Sequence, residues 1–74
     1  MDKEKLELKK ILAGNIKKYR VKLKITQEQA AEKAEITLKY WQRLEMTSQI
    51  DLPSLPTLAK VAEALNIEPY LLLK

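Results

Sequence analysis

The 74-residue chain contains no cysteine and no histidine. Without cysteine there is no disulfide to staple a small core and no thiolate for a metal. Without histidine the usual general base and the commonest metal ligand are both missing. Ser48 and Ser54 therefore lack the groups that normally activate a serine nucleophile. Glycine occurs once, at Gly14, so there is no glycine-rich phosphate loop. The sequence thus leads us to expect no enzyme activity, no metal site and no cofactor. No apolar run approaches the roughly 18 residues of a membrane span, and no signal-peptide pattern opens the chain. A cytoplasmic protein without membrane contact is expected.

What is present reads as helix. Leu, Ala, Lys and Glu dominate, and the β-branched residues never alternate as a strand requires. The length predicts one small domain over 1–74, with residues 1–5 frayed. A core this small needs close helix packing or a partner.

A first helix is predicted over 6–23. Leu8, Ile11, Leu12, Ile16, Tyr19 and Leu23 recur at helical spacing and form an apolar stripe, with Tyr19 a core residue. Gly14 lies inside this helix at a cost of about 1 kcal/mol against alanine, which a local packing or bending point would explain. The bases Lys9, Lys10, Lys17, Lys18, Arg20, Lys22 and Lys24 run without an intervening acid. They form either an ordinary solvated face or a face toward nucleic acid. Overall, 14 Lys and Arg against 10 Asp and Glu give a net charge of +4, a mild lean toward anionic partners.

Residues 26–45 organise the rest. Thr26 and Gln29 fit a capping box, and Ile25 before them fits a hydrophobic staple. Ala30, Ala31 and Ala34 give a thin apolar face that lets another helix approach closely. Glu35-Ile36 breaks the pattern, and Thr37 is a second N-cap. Trp41 and Leu44, three apart, anchor the helix that follows, so Trp41 reads as core rather than ligand site. Tyr40 reads either as packing or as a hydroxyl reaching a phosphate. A short helix, a turn and a second helix with free polar groups near its start is the pattern of a helix-turn-helix.

A polar connector with a terminating Pro53 follows. Ser54 then caps a fourth helix whose buried face is Leu58, Val61, Ala62 and Leu65, and which Asn66 ends. Pro69 allows a last short helix over 69–74, apolar nearly all round. Tyr70, Leu71, Leu72 and Leu73 are its candidate dimer contacts, because one side closes the core and the other is left exposed.

These residues, in this order, resemble the Xre/Cro-repressor family of helix-turn-helix DNA-binding domains. The resemblance runs through Asn15-Ile16-Lys17-Lys18-Tyr19-Arg20, Thr26-Gln27-Glu28-Gln29-Ala30-Ala31, Ala34, Ile36-Thr37, Trp41 and Leu44-Glu45. It continues through Pro53-Ser54-Leu55-Pro56-Thr57-Leu58 and Ala62-Glu63-Ala64-Leu65-Asn66-Ile67. It implies an all-α, five-helix, lambda-repressor-like domain that binds double-stranded DNA as a homodimer and controls transcription. Residues 37–45 would then be the recognition helix. Thr37, Leu38, Lys39, Tyr40, Gln42 and Arg43 would face bases and phosphates, Gln27 would hold a phosphate, and Lys17 would support from the first helix. The resemblance also implies a structural ion pair between Arg20 and Glu45, two residues oddly placed on other grounds. Arg20 lies beside the apolar stripe, and Glu45 puts an acid where the helix dipole disfavours one. Lys24 and Glu35 stand where the family usually has glycine. At Glu35, in the turn itself, either a positive φ costs about 1–2 kcal/mol or the turn differs slightly. The alternative reading is a protein-interaction module of the same fold: an antitoxin, antirepressor or adaptor with a protein partner.

Overall fold

The computed structural model describes residues 2–49 and 51–74. Met1, expected to fray, and connector position Ile50 lie outside the described residues. Four α-helices appear in order: α1 (Asp2–Lys22), α2 (Gln27–Lys33), α3 (Leu38–Leu44) and α4 (Leu55–Ala64). The fifth expected helix is instead a 3-10 helix, Pro69–Leu73. Five residues beginning with proline give too few turns for an α-helical ladder to propagate, and the tighter winding is common in such short pieces. The helix starts at Asp2, four residues before the start expected from the apolar spacing. Asp2 and Glu4 sit in the first turn, where the helix dipole favours acids.

At about 1.5 Å per residue, the 21 residues of α1 span nearly the whole 33 Å length of the molecule. α3 and the 3-10 helix pack against α1, and α2 packs on α4. The 3-10 helix also lies against α4, and α2 also packs on α3. Trp41, Leu12, Ile16, Leu65, Leu72 and Val61 fill the centre. Ala30, Ala31 and Ala34 are buried beside them, and their small side chains let α2 approach its neighbours.

The ends of the short helices are closed locally. Thr26 Oγ1 accepts from the Gln29 amide, and Gln29 Oε1 accepts from the Thr26 amide at 2.9 Å, completing the capping box. Thr37 and Ser54 cap α3 and α4 through their hydroxyls. Lys24, Glu35 and Asn66 all have φ of 59°. The first two therefore keep the left-handed geometry that glycine favours, rather than altering the turn.

Three expectations are corrected. Ile11 is exposed and Leu8 only half-buried, whereas Lys9, Leu12, Ala13 and Ile16 form the buried stripe of α1. Leu12 and Ile16 belong to both stripes, while Lys9 and Ala13 take the buried places expected for Leu8 and Ile11. Gly14 has no atom within 4 Å of where a Cβ would stand, so close packing does not account for it. Leu72, expected as a dimer contact, is fully buried and belongs to the core. Asn15 Nδ2 donates to the Leu72 carbonyl at 2.9 Å and pins the 3-10 helix to α1.

Candidate nucleic-acid interface

α3 is only seven residues long, too short to stand alone in water, so its neighbours must hold it. Its inward side chains, Trp41 and Leu44, are buried. Its C-cap, Glu45, gathers four donors. Oε2 accepts from Arg20 Nε and from Trp41 Nε1, each at 2.6 Å. Oε1 accepts from Arg20 Nη2 and from Gln27 Nε2, each at 3.1 Å. The Arg20–Glu45 pair is largely buried, with side-chain exposures of 13% and 5%. Arg20 Nη1 also donates to the Ile25 carbonyl, at 3.0 Å, in the connection to α2. One carboxylate thus joins α1, the start of α2 and the end of α3. Desolvation pushes the Glu45 carboxyl up. Hydrogen bonds from Arg20, Trp41 and Gln27, with the Arg20 charge, outweigh it and hold the group below its usual value.

Lys9 supplies a second hold that the sequence concealed. Its side chain is buried, 1% exposed, and Nζ donates to three carbonyls. These are Arg43 at 3.0 Å, Met46 at 2.6 Å and Gln49 at 3.1 Å. The ammonium adds a second donor to the Arg43 carbonyl in the last turn of α3, which also accepts from the Met46 amide, ties in two connector carbonyls, and complements the negative end of the helix dipole. Burial lowers the Lys9 pKa from its usual 10.5; Asp51 opposes this and Arg43 adds to it. Lys9 therefore belongs to neither reading of the basic run. It is part of the interior. Its sequence signal is its spacing, three, four and seven residues before the buried Leu12, Ala13 and Ile16. Among the described residues, no buried side-chain nitrogen or oxygen lacks a hydrogen-bond partner.

The outward face of α3 carries Leu38, Lys39, Gln42 and Arg43, all exposed. Two depressions flank it. One is lined by Thr37, Lys39, Tyr40, Gln42, Arg43, Met46 and Gln49. The other brings Lys17, Arg20 and Gln27 together with Gln42, Glu45 and Met46. Gln42 borders both. Leu38 lines neither and stands on the first turn of α3. Thr37 Oγ1 accepts from the Tyr40 amide at 3.1 Å, which leaves the hydroxyl proton for a ligand. Gln27 commits one amide hydrogen to Glu45 and keeps a second. Tyr40 is half-buried and packs against the core, yet lines the first depression. Arg43 is not free: Nε donates to Asp51 Oδ2 at 3.0 Å. Asp51 was not singled out by the sequence, because nothing in a connector of unknown path points it toward α3.

Tyr70 and Leu73 are exposed and Leu71 half-buried, well apart in sequence from α3. Among the described residues, no helix is long and apolar enough to cross a membrane.

A capped short helix, a left-handed turn at Glu35 and a second helix with its polar side outward define a helix-turn-helix protein. The chain belongs to the family described as Helix-turn-helix domain, whose family model matches residues 14–74. No curated protein and no solved structure matches the chain.

Proposed function

We propose that this protein is a sequence-specific, DNA-binding transcriptional regulator of the Xre/Cro type, acting in the cytoplasm as a homodimer on a two-fold operator. The observation that carries this reading is the division of α3. Trp41, Leu44 and Glu45 are locked inward, and Lys39, Gln42 and Arg43 are left on the exposed outer face. Such a helix fits the major groove, where arginine or lysine can read guanine and glutamine can read adenine. Lys39 and Arg43, four apart, repel each other; Asp51 offsets part of this, and a phosphate or guanine edge between them would relieve the rest. Leu38 packs on a thymine methyl, Tyr40 and Thr37 reach the backbone, and Lys17 and Gln27 flank the groove from α1 and α2. In a dimer joined through Tyr70, Leu71 and Leu73, the two reading helices would address half-sites about 34 Å apart.

Fluorescence anisotropy tests this, using duplex DNA from upstream of the gene beside a random duplex, across a salt series. The wild type is expected to prefer the upstream duplex and to lose affinity steeply with salt, as phosphate contacts release counterions. Lys39→Ala/Arg43→Ala is expected to abolish the preference with helicity unchanged. Equal, weak binding to both duplexes by both proteins overturns the reading.

A second reading, a protein-interaction module, draws on one observation. Leu52, Leu55 and Leu73 are exposed around an apolar depression that also includes Leu8, Leu12, Pro53 and Leu58. It predicts salt-insensitive association through that face and little DNA affinity.

A further inference from the structure

The ion pair between Arg43 and Asp51 is about half exposed, at 52% and 47%, so it adds little to stability. Its geometry is more informative. The contact uses Arg43 Nε, the inner nitrogen of the guanidinium. Neither terminal nitrogen of Arg43 hydrogen-bonds to any described residue. Guanine is read by two parallel N–H donors directed at O6 and N7. A carboxylate on Nε leaves the two terminal nitrogens as a complete, end-on fork and fixes the plane in which that fork lies. An arginine without such a support loses more rotamer freedom on binding.

The position of Asp51 is itself supported. Lys9 Nζ holds the Arg43 carbonyl at the end of α3 and the Met46 and Gln49 carbonyls in the connector. The reading helix and the segment leading to Asp51 therefore share one anchor. Lys9 lies before the family-matched segment, which begins at residue 14.

We propose that Asp51 is a positioning residue for base recognition: it holds Arg43 by Nε so that the two terminal nitrogens present a fixed fork to a guanine. This rests on α3 being the DNA-reading helix. An acid near a phosphate backbone lowers affinity for all DNA, so Asp51 trades general affinity for selectivity at one base pair.

The test uses the full chain and a duplex pool randomised over about 20 base pairs, enough for two half-sites one turn apart. Wild type, Arg43→Ala, Asp51→Ala and Asp51→Asn are each used for selection. Each is then titrated against the enriched duplex, its guanine-to-adenine variants and a random duplex. The wild type is expected to enrich a guanine whose preference disappears in Arg43→Ala. Asp51→Ala, which removes the acceptor, should lower that preference by about tenfold while binding the random duplex at least as tightly. Asp51→Asn, which keeps an acceptor oxygen but not the charge, should retain most of the preference and tighten binding to every duplex. If Asp51→Ala and Asp51→Asn both tighten every duplex with the preference intact, Asp51 is only a competitor for Arg43 and the proposal is overturned. A guanine preference that survives Arg43→Ala overturns it too and leaves DNA reading standing. Enrichment of no sequence by the wild type removes both.

Discussion

Lys9 and Lys10 are adjacent, chemically identical and opposite in role. Lys10 is exposed, whereas Lys9 is buried with its ammonium against three carbonyls. Replacing Lys9 by methionine keeps most of the length of the side chain but takes the ammonium from the Met46 and Gln49 carbonyls, while the Arg43 carbonyl keeps the Met46 amide. An unsatisfied buried carbonyl costs about 1–3 kcal/mol, so Lys9→Met is expected to destabilise by at least about 2 kcal/mol in urea unfolding. Lys10→Met should stay within about 0.5 kcal/mol of wild type. Equal midpoints for the two variants would show that water replaces the ammonium at no cost. Composition cannot distinguish these two lysines. Helical periodicity can, but only if a lysine is admitted to a buried stripe, and the apolar residues Leu8 and Ile11 trace a different one. Arg20 and Glu45 are easier to read because the family resemblance pairs them; each looks misplaced alone, and the 2.6 Å contact reconciles them.

At the scale of the element, local chemistry was the most legible part of the chain. Thr26, Gln29, Thr37 and Ser54 close helix ends through contacts within three residues, and such contacts depend on little beyond their own neighbours. The 3-10 winding of residues 69–73 and the Arg43–Asp51 contact depend on packing and on the path of the connector, which a linear pattern does not carry. The turn at Glu35 holds a β-carbon in the left-handed region, at about 1–2 kcal/mol. Glu35→Gly is therefore expected to raise stability by up to about 1 kcal/mol once the freer unfolded chain is counted. Gly14 offers the reverse change. It is helical, and open space surrounds its missing Cβ, so Gly14→Ala should stabilise by about 1 kcal/mol. Thermal denaturation of the two single variants checks both. A drop in melting temperature for Gly14→Ala would indicate that the glycine answers to something other than stability.

Across the whole molecule, Glu45 is the group whose protonation matters most, because it meets three helices at once. Its folded pKa lies below the usual 4.5, despite the opposing effect of burial. A depressed carboxyl contributes stability that is fully present above the unfolded value and is lost as pH falls through the folded one. The urea midpoint should accordingly hold above pH 4.5 and fall below it. Glu45→Gln should start from a lower midpoint and fall less steeply, and parallel curves for the two proteins would assign the acid sensitivity elsewhere. The general plan of four helices about Trp41 could be read from hydrophobic spacing and capping. The assignment of Leu72 could not. In a run of three leucines, the sequence marks all as sticky, and only the winding of the 3-10 helix decides which one enters the core.

The lysine that anchors α3 has a practical meaning for anyone who would move this helix-turn-helix unit onto another scaffold. The segment that matches the helix-turn-helix family starts at residue 14, and a transplant cut there would look complete by every motif. It would nevertheless leave behind Lys9, whose single cation draws three main-chain oxygens of α3 and the connector together. The portable unit is therefore longer than its signature, and it reaches back at least to Lys9.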